Sequence, residues 1–179
     1  MMLYHKRWRG EMNTRKTPII VIMSIILILN CHLNQESSFN KQKNLIEKYV
    51  EYWNTGHFEE IDKILHPEFE LRMTPKFEPE KGIDIFKENV LKWRQAYPDF
   101  HIEIHEIINE YNKAAAKWTI KATNTGQGWH PPTGKHVEVI GISVLHFVDG
   151  KIKDEWIASN NLYWLLQLGY TLKPQSKEK

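Results

Sequence analysis

One cysteine occurs in 179 residues, and it stands at position 31, so no intramolecular disulfide braces this chain. The sequence has no glycine-rich phosphate loop, no Gly-x-Ser-x-Gly elbow and no cysteine nucleophile beyond residue 31, which removes the commonest routes to phosphoryl transfer and covalent hydrolysis. Internal repeats and low-complexity tracts are missing too. Basic charge is scarce where it would count. Residues 1–30 hold Lys6, Arg7, Arg9, Arg15 and Lys16 against Glu11 alone, and without them a net charge of +2 becomes slightly negative. The body of the chain therefore lacks the footprint of a nucleic-acid binder. Hydrophobic residues at 41% and charged residues at 26% fit a soluble globular protein with a real core, and seven tryptophans are a heavy aromatic load for its length.

The N-terminal 31 residues read as an export leader. Arg15 and Lys16 precede the uncharged run Ile19 to Leu29, which is short of the about 20 residues of a membrane span but fits a signal-peptide core. Leu27-Ile28-Leu29-Asn30-Cys31 resembles the lipobox of bacterial lipoproteins, with Asn30 where that pattern has a small residue. The resemblance implies lipidation at Cys31, export to the cell envelope and attachment to a membrane through the lipid. Met12 begins a cleaner leader than Met1, so residues 1–11 read as an over-called start. The polar stretch 32–40 reads as a tether.

From residue 41 to 174 the pattern is that of one domain, and 175–179 form a charged tail. Leu45, Ile46, Tyr49, Val50, Tyr52 and Trp53 recur at helical spacing, and Gly56 suits a helix stop. A second short helix is expected around Phe58 to Leu65, ended by His66-Pro67. A strand follows at 69–73, and a helix at 83–97 is stopped by Pro98. Alternation then predicts strands at 100–108, 114–123, 136–148 and 151–160, with a bulge or bend at Gly141 and a hairpin turn at Asp149-Gly150. A closing helix is expected at 162–168. Helices first and an antiparallel meander after them make an α+β fold, with a strongly curved sheet around an apolar interior.

Short motifs recur in a familiar order. They are Tyr52-Trp53-Asn54-Thr55-Gly56, Ile64-Leu65-His66-Pro67-Glu68-Phe69, Ala96-Tyr97-Pro98-Asp99-Phe100, Thr123-Asn124-Thr125-Gly126, Pro131-Pro132-Thr133-Gly134-Lys135 and Leu165-Leu166-Gln167-Leu168-Gly169. In this order they resemble the SnoaL-like polyketide cyclases (ester cyclases), whose fold is the nuclear transport factor 2-like cone. The resemblance implies an internal cavity for a small hydrophobic carbonyl compound, cyclisation or isomerisation by acid–base chemistry, and pairing into a homodimer. It calls for no cofactor and no metal.

Two positions depart from the family pattern. The general-base Asp of the family aligns with Asn160, which cannot accept a proton at neutral pH. The usual Thr-His-Thr-Gly is Thr123-Asn124-Thr125-Gly126. Strand parity puts Trp118, Ile120, Ala122 and Asn124 on one face, and Ile152, Asp154, Trp156, Ala158 and Asn160 on another. Trp118, Ile120, Trp156 and Trp53 are thus expected to line the cavity, with His146 and His130 as further lining groups. Asn160 has a second reading as a helix N-cap. His146, Asp154 and His130 are the alternative bases, and His101 and His105 lie two positions from Glu103 on one strand. Two functions remain open on this evidence, an acid–base enzyme and a non-catalytic binding lipoprotein.

Overall fold

The computed structural model describes residues 17–73, 78–129 and 131–173. The chain forms two compact units, Met1–Ser38 and Phe39–Lys179. In the first, the described residues belong to helix α1 (Thr17–Thr55), which also takes in the polar stretch 32–40. Cys31 lies on this helix, and its side chain falls outside the described residues. Among the described residues no helix is long and apolar enough to cross a membrane.

The second unit contains the core. Here α1 buries Gln42, Leu45, Ile46, Tyr49, Tyr52 and Trp53, a stripe at three- and four-residue spacing. Gly56, at φ 72°, takes the left-handed position after the helix and donates its N–H to the Tyr52 carbonyl at 2.9 Å. The second helix, α2 (Ile61–Ile64), is a single turn. His66-Pro67 does not end a helix as expected. Both residues already belong to strand β1 (Leu65–Met73), and the pairing with β6 (Lys151–Ser159) is irregular between Leu65 and Glu70. Pro67, which has no N–H to give a ladder, sits inside that interval.

The remaining elements are β2 (Glu80–Lys81), α3 (Ile83–Ala96), β3 (His101–Glu110), β4 (Lys113–Thr123), β5 (His136–Val148) and α4 (Asn161–Gln167). The strands form one curved, unclosed sheet in the order β2-β1-β6-β5-β4-β3. The β1–β6 pair is parallel and the others are antiparallel. Asp149 and Gly150 both take positive φ (51° and 73°) and join β5 to β6 in the two-residue turn their sequence signals.

Gly141 and Lys153 correct the expected positions of irregularity. The β4–β5 ladder runs unbroken through Trp118↔Gly141, so Gly141 is no bulge. Its bare backbone instead seats the Trp118 indole, because a Cβ there would lie 2.0 Å from the ring. The bulge falls in β6. His146 pairs with Asp154 while Phe147 pairs with Ile152, which leaves Lys153 as an extra residue. Its ammonium reaches across to the Glu68 carbonyl and carboxylate, both at 2.8 Å.

Candidate active-site cavity

Helices α1, α3 and α4 and the concave face of the sheet enclose a cavity of about 570 Å³. Its wall is largely aromatic. Trp53, Trp93, Trp118, Trp129 and Trp164 line it, with Tyr49, Tyr97 and Phe100. These rings pack on one another: Trp93 lies 5.0 Å from Trp129 and 5.5 Å from Trp164, and Tyr97 lies 5.2 Å from Trp164. Tyr97 accepts the Trp164 indole N–H at 3.0 Å. Tyr49 of α1 stacks on Phe86 of α3, with ring centroids 5.1 Å apart.

One acidic side chain is buried in this wall. Glu155 of β6 is 4% exposed. Its Oε2 accepts the Tyr49 hydroxyl at 2.5 Å, and Ser143 of β5 is its diagonal neighbour in the sheet. Burial pushes the Glu155 carboxyl up to about 7, and Ser143 and Tyr49 pull the other way. Burial, then the neighbouring Glu155 charge, raises the Tyr49 phenol well above its ordinary value, so Tyr49 stays a donor. A carboxyl that is part-ionised near neutrality and faces an apolar space can take and return a proton.

Glu155 is on the cavity face because Lys153 is a bulge. Alternation without interruption puts Ile152, Asp154 and Trp156 together. With one extra residue the phase slips, and the buried residues are Ile152 and Glu155. Trp156 is consequently 43% exposed on the outer face and does not line the cavity, contrary to the parity expectation. A signal for the slip was present in the sequence. Ile152 and Ile157 are five apart, and two apolar residues at an odd separation share a face only if the strand bulges between them.

The other singled-out residues are placed as follows. Trp53, Trp118 and Ile120 line the cavity. Asn124 is buried but does not line it, because its side chain is consumed locally. Asn124 Oδ1 accepts the Thr133 N–H at 2.9 Å and the Thr133 hydroxyl at 3.1 Å, while its amide reaches the Ala96 carbonyl at 3.4 Å. Asn160 is exposed and caps α4, with Oδ1 accepting the Tyr163 N–H at 2.9 Å. Asn160 instead borders a shallow groove on the outer face with Ile140, Ile142 and Ala158. His146 is held by Asp154 at 2.7 Å and lies outside the cavity. His105 bonds the Thr119 hydroxyl at 2.7 Å, and His101 is exposed. His130 lies outside the described residues. Among the described residues no three His, Cys, Asp or Glu side chains are grouped to hold a metal ion.

A curved, unclosed sheet folded over helices is the architecture that solved polyketide cyclases share with this chain. The SnoaL-like polyketide cyclase family profile matches residues 43–168, and the chain belongs to that family. Among curated proteins it is 28% identical over 120 residues to the aklanonic acid methyl ester cyclase AcmA of Streptomyces galilaeus, covering 63% of this chain and 80% of that one. Among solved structures it is similar to TsrD of Streptomyces laurentii, with 25% identity, a TM-score of 0.65, and coverage of 73% of this chain and 96% of that one. It is also similar to AclR of Streptomyces galilaeus, described as a candidate hydroxylase, with 26% identity, a TM-score of 0.62 and the same two coverages.

Proposed function

We propose that the protein is an acid–base enzyme of this family acting on a small, planar, carbonyl-bearing compound, with Glu155 as its general base in place of Asn160. The observation that carries this reading is Glu155 itself, a buried carboxyl raised to about 7 in the wall of a largely aromatic cavity. The name of the relative, a methyl ester cyclase, supports ring-forming chemistry on a carbonyl compound. Flat conjugated rings suit the cluster of Trp93, Trp129 and Trp164, where stacking and edge-to-face contacts are available.

The Glu155 carboxylate takes a proton from a carbon next to a carbonyl, leaving an enolate. The enolate carbon attacks a second carbonyl of the same molecule, a C–C bond forms, and the resulting alkoxide takes the proton back from Glu155. Nothing else is consumed or released. The basic, apolar leader ending at Cys31 supports placing this activity at the cell envelope, with a lipid on Cys31 as the anchor.

The test is a set of variants assayed on β-keto ester and polyketide methyl ester substrates. Glu155→Gln is expected to lose roughly 10²- to 10⁴-fold in turnover while still binding the ligand. Asn160→Asp is expected to leave turnover unchanged. If the parent is inactive and Asn160→Asp creates turnover, the parent is a binding protein and the acid–base reading is wrong.

A further inference from the structure

The hydrogen bonds around Glu155 run in one direction. Trp118 donates its indole N–H to Ser143 Oγ at 2.9 Å. An indole N–H only donates, so at this bond the serine oxygen can only accept. The serine's own hydrogen is left for another acceptor, and Ser143 is 4% exposed in the cavity wall. Glu155, the diagonal neighbour of Ser143 on β6, presents a buried carboxyl to the same cavity. Tyr49 donates to the same carboxyl from α1.

The geometry of the strands fixes this arrangement. Trp118 and Gly141 are direct partners across β4 and β5, and the indole lies over the glycine backbone, where any Cβ would strike it. With the ring seated there, its N–H falls on Ser143, two residues further along the same face of β5. Ser143 in turn pairs with Ile157, so Glu155 is its diagonal neighbour on β6.

We infer that Ser143 is a positioning residue for the proposed reaction: aimed by Trp118, it donates to Glu155 and keeps that carboxyl a proton acceptor inside the apolar cavity. The inference rests on the acid–base reading of Glu155. Its physical basis is the direction in which these groups donate. A carboxylate accepts from both Ser143 and Tyr49. A protonated carboxyl has to turn its hydrogen toward a neighbour, and Trp118 already occupies one acceptor site on Ser143. The arrangement therefore favours the ionised form and offsets part of the cost of burial. The other titratable side chains lining the cavity are Tyr49 from α1, Glu80 from β2, Lys92 from α3 and Tyr97 at its end. From β4 and β5 the cavity receives no titratable group.

The experiment needs no substrate. The full chain is labelled with ¹³C at the glutamate carboxyl carbons, and the Glu155 resonance is assigned as the one missing from Glu155→Gln. Its titration is followed in the wild type, Ser143→Ala, Ser143→Thr and Trp118→Phe. Ser143→Ala is expected to move the midpoint upward by about one pH unit, as loss of one hydrogen bond to a charged group should. Trp118→Phe should move it the same way by less, and Ser143→Thr, which keeps the hydroxyl, should restore the wild-type midpoint. If Ser143→Ala does not fold, Ser143→Cys gives the same reading, because a thiol donates poorly. Midpoints for the alanine and phenylalanine variants that coincide with wild type overturn the role of Ser143. A wild-type resonance titrating as an ordinary glutamate overturns the acid–base reading underneath it.

Discussion

At the scale of single residues, Glu155 sets a conflict between activity and stability. Its carboxyl holds a proton up to about pH 7 in the fold, against an ordinary value of 4.5. The folded state thus binds more protons than the unfolded state between those values. Its contribution to stability is complete below the lower value and is lost as the pH rises through the upper one, at a cost on the order of 3 kcal/mol. Glu155→Gln should therefore be more stable than wild type at pH 8 and gain little at pH 5, read from urea midpoints. An advantage that is the same at both pH values would contradict the burial argument. Asn160 makes the opposite contribution. As the cap of α4 it should lose about 1 kcal/mol on change to Ala and almost nothing on change to Asp, itself a good cap. Thermal melts of the two variants separate a capping role from a chemical one. The sequence already allows the capping reading of Asn160, since Asn is common at that position, whereas Asn124 lies on the buried face of its strand and spends its oxygen on Thr133. Alternation shows which way a side chain points, but not that Thr133 waits there to use up its oxygen.

At the scale of elements, two contacts join parts that the sequence shows as separate. Arg94 of α3 donates to the carbonyls of Trp53 and Asn54 at 3.2 and 2.5 Å, and to Phe100 and Pro98 at 3.1 and 3.3 Å. The first two are carbonyls at the end of α1 that lack helical partners. Arg94→Met is expected to destabilise the fold by about 2–4 kcal/mol, measured by chemical denaturation, because it leaves several acceptors unpaired at once. Gly141→Ala should cost about 1–3 kcal/mol by displacing the Trp118 ring, and it should also quench the ordered tryptophan signal in near-UV circular dichroism. Periodicity gave α3, β4, β5 and β6 almost to the residue, because each has a long apolar pattern with clear stops. It misplaced the start of β1, where Pro67 looked like a helix terminator, and it read an irregularity into Gly141. Glycine in a strand signals either a bulge or a close approach, and only the partner strand decides between them.

At the scale of the whole molecule, the tryptophan count found its explanation. Five of the seven line one cavity, and of the remaining two only Trp156 is among the described residues, on the outer face. A planar ligand entering the cavity should therefore quench most of the intrinsic fluorescence, and Trp156→Phe should leave the quenching amplitude nearly intact. A small amplitude, or one lost with Trp156, would place the ligand outside the cavity. The family and its cavity were legible in six short motifs, but the acid in the wall was not, since its face depends on Lys153. A strand is read two residues at a time, much as a message is read in triplets, and Lys153 is an insertion in that frame. Gain or loss of one residue in this hairpin carries an acid from solvent to interior in a single step, with no substitution at all. Proton-transfer groups on such a wall can migrate by insertion, and a residue-by-residue match to the strand's end would then score a loss where the chain keeps an acid further in.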